Sequence, residues 1–199
     1  MSIDISARLA DARALFAHSV ADVWLEIGFG GGEHLIRTAA ENRDVGFIGC
    51  EPFVNGMAKA LAAIQAQGLA NIRLYSGDAA DLLSWLPRGS IGRVFLLFPD
   101  PWPKRRQRKR RFVSDESIAA LARIMRSGAE LRLATDVDDY SGWALARILR
   151  SPDFIWPAEQ SKDWTEAWDG WQETRYETKA RRADRNPVYL TFVRRSSGG

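Results

Sequence analysis

One cysteine and two histidines are all the thiol and imidazole that this 199-residue chain contains. Cys50 alone cannot close an internal disulfide, which fits a reducing compartment and points to the cytoplasm. With His18 and His34 as the other soft ligands, no metal-ligand cluster is visible and no metal is expected. Long apolar runs are missing too. Met1 to Ala21 is broken by Asp4, Arg8, Asp11 and Arg13, so there is no secretory core. No stretch approaches the length of a membrane span, and no internal repeat or linker stands out. The expectation is a soluble cytoplasmic protein, with monomer and homodimer both open.

What the chain does have is charge in one place. Seven of the eight residues from Lys104 to Arg111 are basic; outside them 21 Lys and Arg face 25 Asp and Glu, a net of −4 in a chain whose total is +3. A positive block in an otherwise acidic chain reads as a grip for a polyanion. It follows directly on Phe98-Pro99-Asp100-Pro101-Trp102-Pro103, a proline-stiffened turn that ends the apolar run Val94–Phe98. A carboxylate aimed at a base, beside cations aimed at a backbone, suggests an enzyme acting on a nucleic acid. The plainer alternative is a solvated basic loop after a buried strand.

At 46% hydrophobic residues the chain fills one sizeable core, and a single domain is expected from 22 to 195. Ile5, Leu9, Ala12 and Phe16 recur at helical spacing, so residues 1–21 read as a leading helical segment; residues 196–199 read as a disordered tail. Strands are expected at Val23–Gly28, Gly46–Glu51, Asn71–Tyr75, Arg93–Phe98 and Glu130–Ala134. Helices are expected at Glu33–Glu41, Asn55–Gln67 with Asn55 as a cap, Asp81–Leu86, from Ser114 to about Arg126, and Asp138–Arg150. This alternation implies an α/β fold, a parallel sheet with helices on both faces. Phe154–Trp156 and Val188–Val193 are two further strands, expected to pair antiparallel at the sheet edge.

The first strand runs into Glu26-Ile27-Gly28-Phe29-Gly30-Gly31-Gly32, glycines that let the backbone turn tightly and a ligand approach. A dinucleotide fingerprint wants its third glycine at position 33, and Glu33 there would repel a pyrophosphate. The pattern instead resembles the first motif of Rossmann-like methyltransferases, whose cofactor S-adenosylmethionine carries no phosphate. Glu26 then suits the cationic methionine end. Glu51 ends the second strand, where doubly wound folds put an acid on ribose hydroxyls, and Asp78 ends the third, within reach of an adenine amine. One carboxylate at a strand end is often just a helix cap. Three at successive strand ends carry more weight.

Taken together, Leu25-Glu26-Ile27-Gly28-Phe29-Gly30, Gly49-Cys50-Glu51, Gly77-Asp78-Ala79, the stretch from Phe98 to Lys104, Lys109-Arg110-Arg111, Ala134-Thr135-Asp136 and Thr174-Arg175-Tyr176-Glu177 resemble the bacterial tRNA (guanine-N7-)-methyltransferase family. The resemblance spans roughly residues 23 to 193. It implies a Rossmann-like class I methyltransferase fold with a mostly parallel seven-stranded sheet and an antiparallel edge strand. It implies tRNA as partner, a guanine of the variable loop as target, and S-adenosylmethionine as cofactor, bound by Glu26, Gly28, Gly30, Glu51, Asp78 and Asp100. Asp100 is implied as the catalytic residue at the junction of cofactor and guanine. Lys104, Asp136, Thr174, Arg175, Tyr176 and Glu177 match substrate contacts, and Arg106, Gln107, Arg108, Lys109, Arg110 and Arg111 match the RNA-contacting segment. Many relatives have more chain ahead of the first strand, so contacts made by such an extension are not carried over.

The chemistry agrees with what is present and absent. Guanine N7 has a lone pair and no proton, so its in-line attack on a sulfonium methyl needs no general base. An Asp100 carboxylate favours the positive charge arriving on the purine, or accepts from guanine N1–H and the exocyclic amine. Most of the acceleration would come from alignment. An amino-methyltransferase acting on adenine or cytosine is an alternative, since Asp100-Pro101-Trp102 is similar to the Asp/Asn-Pro-Pro-aromatic loop of that class but lacks its second proline. A non-catalytic RNA-binding module that has kept the fold is another. A dehydrogenase is disfavoured by Glu33. Trp164, Trp168 and Trp171 recur at helical spacing and read as core or as a stacking platform, core being more usual. Trp102 reads as touching the base or shaping its pocket, Cys50 as an inert buried thiol and His34 as a surface residue of the first helix.

Overall fold

Short apolar runs alternating with amphipathic segments fold, in the computed structural model, into one seven-stranded sheet; the structure describes residues 2–196. The strands are β1 (Asp22–Ile27), β2 (Val45–Cys50), β3 (Ile72–Tyr75), β4 (Ile91–Leu97), β5 (Met125–Thr135), β6 (Phe154–Ile155) and β7 (Val188–Arg194). Their order is β3-β2-β1-β4-β5-β7-β6, with β1 to β5 parallel and β7 antiparallel to both β5 and β6. The expected mostly parallel sheet with an antiparallel edge is therefore observed.

The period-two alternation of the strands splits the core between the two faces. Leu25, Ile48, Val94 and Leu131 point to one face, under α3 (Ala79–Trp85), α4 (Asp115–Ile124) and α5 (Asp138–Ile148). Phe47, Ile72 and Leu74 point to the other, under α1 (Glu33–Glu41) and α2 (Val54–Ala66). Among the described residues no long helix covers that second face over β4, β5 and β7. Trp168 and Trp171 fill the place, packed with Phe95, Leu97, Ala134 and Tyr189. Trp168 and Trp171 are thus half-buried against the core, between the one-turn helix α6 (Lys162–Thr165) and α7 (Arg175–Arg182), while Trp164 packs on Trp156.

Three expectations are corrected. The described residues 2–21 do not form one helix: among them only Ala12–Leu15 makes a 3-10 turn. Asp4 accepts from Ser6 N–H at 2.9 Å, a side-chain bond that competes with helix formation, and Asp11 accepts from Arg13 N–H at 2.9 Å as the cap that starts the turn afresh. The segment lies as a strap, with Ile3 N–H bonded to Leu74 O and Ile3, Ala12 and Phe16 buried. Asn55 does not cap α2; Phe53 holds the cap position, and its N–H is taken by the Glu51 carboxylate at 3.0 Å. β5 starts five residues before the expected Glu130, hidden in the sequence by the exposed Arg126-Ser127-Gly128. By contrast Ser114 and Ser117 close a reciprocal capping box on α4. The tail expectation lies outside the described residues except at Ser196, whose hydroxyl is 2.7 Å from that of Ser127.

Candidate active site

The sheet order reverses between β1 and β4, so the chain leaves these strands in opposite directions and opens a crevice at their carboxyl ends. A cleft of about 620 Å³ lies there, lined by Gly28 and Gly30 after β1, Glu51 and Phe53 after β2, Asp78 after β3, and Phe98 to Asp100 and Trp102 after β4. Gly28 has φ +73°, a conformation costly for any residue with a Cβ, and the space beside it is open. Glu51 is buried yet reaches the cleft. Its Oε2 accepts from Gly30 N–H at 2.8 Å and its Oε1 from Phe53 N–H, so one carboxylate ties the glycine loop to α2. Asp78 is both things the sequence allowed, a cleft residue and the N-cap of α3 through Ala80 N–H at 2.8 Å.

The glycine loop and α2 touch at a point where only glycine fits. A Cβ on Gly56 would stand 2.2 Å from the Gly30 carbonyl oxygen, backbone against backbone. Gly56→Ala should therefore push α2 off the loop and weaken cofactor binding at least tenfold by calorimetry, about 1.4 kcal/mol. Gly142→Ala, where the added Cβ meets open space, is the matched control and should bind normally.

Asp100 is exposed, and it hangs in a strained turn. Phe98 and Trp102 flank it with φ of 49° and 41°, left-handed values that cost about 1–3 kcal/mol per residue outside glycine. Such strain persists only where the surroundings impose it. Phe98 N–H is bonded to Ala134 O at 2.7 Å, Pro101 O accepts from Arg111 Nε at 2.8 Å, and the Arg110 guanidinium lies over the Trp102 ring at 5.0 Å. The Phe98 ring runs nearly parallel to that of Tyr176, with centroids 6.2 Å apart.

The basic run divides. Arg105–Arg110 coils into a 3-10 turn in which Arg105, Arg106, Lys109 and Arg110 are exposed. Arg108 is partly spent on Asp139 at 2.7 Å. The assignment of Arg111 to RNA is corrected: its side chain is 0% exposed, so no phosphate reaches it. The guanidinium is enclosed by the Tyr140 and Trp143 rings and bonded to Pro101 O and the Asp139 carboxylate. That bond, opposed by burial and aided by the charges of Arg111 and Arg108, holds the Asp139 carboxyl below its usual range.

Other expected site residues sit behind the cleft. Glu26 is buried and not among its lining residues; its Oε2 is 2.7 Å from His34 Nδ1. His34 is corrected from surface to core, wedged against Phe95 and Trp171, with Nε2 3.3 Å from Thr38 Oγ1. With a carboxylate accepting, Nδ1 carries the proton. Along α7 the residues alternate in role. Arg175 and Tyr176 line the cleft, whereas Thr174 caps the helix and Glu177 is buried against Trp171, Tyr189 and Arg181. Asp136 is paired with Arg185 at 2.7 Å, and Lys104 is exposed; neither lines the cleft.

Cys50 is buried, as expected of an inert thiol. Burial, then the charges of Glu51 and Asp78, push it up to about 12. A thiol reagent at pH 8 should leave the native protein unlabelled and label it once unfolded; rapid native labelling would contradict this. Gly56, Phe53 and the interior role of Arg111 escaped the sequence reading. Phe53 alone left a signal, as an aromatic residue just past a strand-end acid.

Sheet order and cleft define the class I methyltransferase fold. It is shared with an rRNA methylase from Streptococcus thermophilus (TM-score 0.60, 10% identity, 89% of each chain) and a precorrin-6y C5,15-methyltransferase from Geobacter metallireducens (TM-score 0.61, 17% identity, 92% of this chain and 86% of that one). The [4+2]-cyclase SpnF shares it as well (TM-score 0.62, 14% identity, 92% and 78% of the chains), so the fold alone does not fix the chemistry. Residues 20–190 match the family described as "Putative methyltransferase". The tRNA (guanine-N(7)-)-methyltransferase of Rhodopseudomonas palustris strain BisA53 is 53% identical over 198 residues, 99% of this chain and 79% of its own. That of Bradyrhizobium diazoefficiens strain USDA 110 is 52% identical over 195 residues, 98% and 83% of the two chains. The chain belongs to the tRNA (guanine-N(7)-)-methyltransferase family, and so uses a methyl donor. Among the described residues no helix is long and apolar enough to cross a membrane, and no group of three His, Cys, Asp or Glu is placed to hold a metal ion.

Proposed function

We infer that the protein transfers a methyl group from S-adenosylmethionine to N7 of a guanine in tRNA, in the cytoplasm, with the variable loop as the target its resemblance favours. The observation that carries this reading is the fixed Asp100 turn closing the same cleft that Glu51 and Asp78 line. The residues present fit the cofactor. Gly28 leaves bare backbone beside open space, two carboxylates at consecutive strand ends keep lone pairs for hydroxyls and an amine, and the exposed Phe53 ring offers a flat apolar surface. When bound, S-adenosylmethionine supplies a methyl on positively charged sulfur for attack by the N7 lone pair.

The chain's own residues then have separable tasks. Glu51, Asp78, Gly28 and Gly30 hold the donor, and Glu26 braces the start of the glycine loop from below through His34. Asp100 meets the edge of the guanine and favours the charge it acquires. Arg175 and Tyr176 contact the substrate from the cleft, with Thr174 and Glu177 supporting them from the core side, and Lys104 and Asp136 contact it beyond the cleft lining. Arg106, Gln107, Arg108, Lys109 and Arg110 face the RNA backbone.

The test is direct. Unmodified tRNA is incubated with the protein and methyl-labelled cofactor, and the labelled base is mapped. Label on guanine N7 is expected; label on an exocyclic amine of adenine or cytosine would replace this reading with an amino-methyltransferase.

A further inference from the structure

The exposed face of α7 carries cations at a regular interval. Arg175, Lys179 and Arg182 are all exposed and sit at positions i, i+4 and i+7, hence on one side of the helix. The inward side is spoken for: Glu177 and Ala180 are buried. Of the acidic residues near this helix, Glu177, Glu173 and Glu33 are already paired. Glu177 is occupied by Trp171, Tyr189 and Arg181, and Glu173 lies 3.9 Å from Arg181. Asp184 follows the helix, and Glu33 reaches only Arg175, at 3.6 Å and with both side chains about half exposed. Lys179 and Arg182 make no ion pair among the described residues. An ordinary solvated helix mixes both signs on its outer face. This one does not.

Position gives the stripe its meaning. Its first member, Arg175, lines the cleft together with Tyr176, and so do Asp100, Trp102 and Arg110. From there the cations run outward for about 10 Å along the helix, at the 1.5 Å rise per residue. Two basic segments therefore reach the cleft: the 3-10 turn Arg105–Arg110, through Arg110, and α7, through Arg175.

We propose that the outer face of α7, through Lys179 and Arg182, is a second phosphate-binding wall for the RNA substrate, so that the strand bearing the target base is held by two basic segments at the cleft. This rests on the tRNA reading above. Each phosphate contact contributes roughly 0.7–0.9 log units of affinity per decade of salt.

The experiment measures binding of unmodified tRNA across a salt series for the native protein, for Lys179→Ala/Arg182→Ala, and for Arg105→Ala/Arg106→Ala/Lys109→Ala. Cofactor affinity is measured on each by calorimetry to show that the cleft is intact. The α7 variant should lose roughly 1.5 log units of slope per decade, two contacts' worth, with cofactor binding unchanged. Lys179→Arg/Arg182→Lys, which keeps the charges, should restore the native slope. An unchanged slope in the α7 variant, with loss in the 3-10 variant, overturns the second wall and leaves the tRNA reading standing. An unchanged slope in both overturns the two together.

Discussion

Asp100→Ala is expected to lower single-turnover methylation by about 10²- to 10³-fold, the usual cost of removing one group that meets developing charge. Affinity for S-adenosylmethionine should change little, because Glu51, Asp78 and the glycine loop are fixed without Asp100: their bonds run to Gly30, Phe53 and Ala80. The turn itself should survive, since Phe98 N–H, Pro101 O and the Trp102 ring are held by Ala134, Arg111 and Arg110. The loss should thus appear in turnover and not in the fold. Asp100→Asn separates two roles for the carboxylate. It keeps the shape and one acceptor but removes the charge, so activity near that of the alanine variant assigns the effect to charge. Activity near native assigns it to hydrogen bonding and position. Native turnover in Asp100→Ala would remove Asp100 from the chemistry.

How much of this was legible beforehand depended on whether a residue's partner lay nearby in sequence. The sheet was legible because strand alternation and helix period are local. The row of strand-end acids was legible in part: Glu51 and Asp78 reach the cleft, whereas Glu26 turns inward to His34. The N-terminal strap departs from the expected helix for a physical reason: Ile5, Leu9, Ala12 and Phe16 match a helix period, while Asp4 takes the Ser6 N–H and Asp11 caps a separate short turn. Arg110 and Arg111 are neighbours of one type, yet one faces the cleft and the other is enclosed by Tyr140 and Trp143. Nothing in a run of like charges says which member turns inward; that depends on Asp139, 28 residues on. His34 likewise went inward because Glu26 waits beneath α1. Charge arithmetic found the block of seven cations and missed the α7 stripe, whose lysine and arginines are diluted by alanines and an inward-facing glutamate.

Glu177→Ala should cost about 2–5 kcal/mol of stability, a large share of the 5–15 kcal/mol typical of a folded domain. The carboxylate accepts from Tyr189 Oη at 2.6 Å, Trp171 Nε1 at 2.7 Å and Arg181 at 2.9 Å, in a place only 2% exposed. Truncation strands the tyrosine and tryptophan donors in the core, about 1–3 kcal/mol each, while Arg181 simply turns to solvent. Denaturant midpoints give the measurement, and Glu177→Gln, which keeps one acceptor, should fall between. The pH dependence has a definite sign. Burial pushes the Glu177 carboxyl up, but the hydrogen bonds from Tyr189, Trp171 and Arg181 outweigh it and hold it below its ordinary 4.5. A depressed carboxyl stabilises the fold fully above the unfolded value and loses that contribution as pH falls through the folded one. The native protein's advantage over Glu177→Gln should therefore be full at neutral pH and shrink below about pH 4.5. If Glu177 instead touches the substrate, Glu177→Gln would raise KM for tRNA with the denaturant midpoint unmoved. The burial and the three donors argue for the first outcome: Glu177 anchors α7 to β7 through Tyr189, and so sets where Arg175 and Tyr176 meet the cleft.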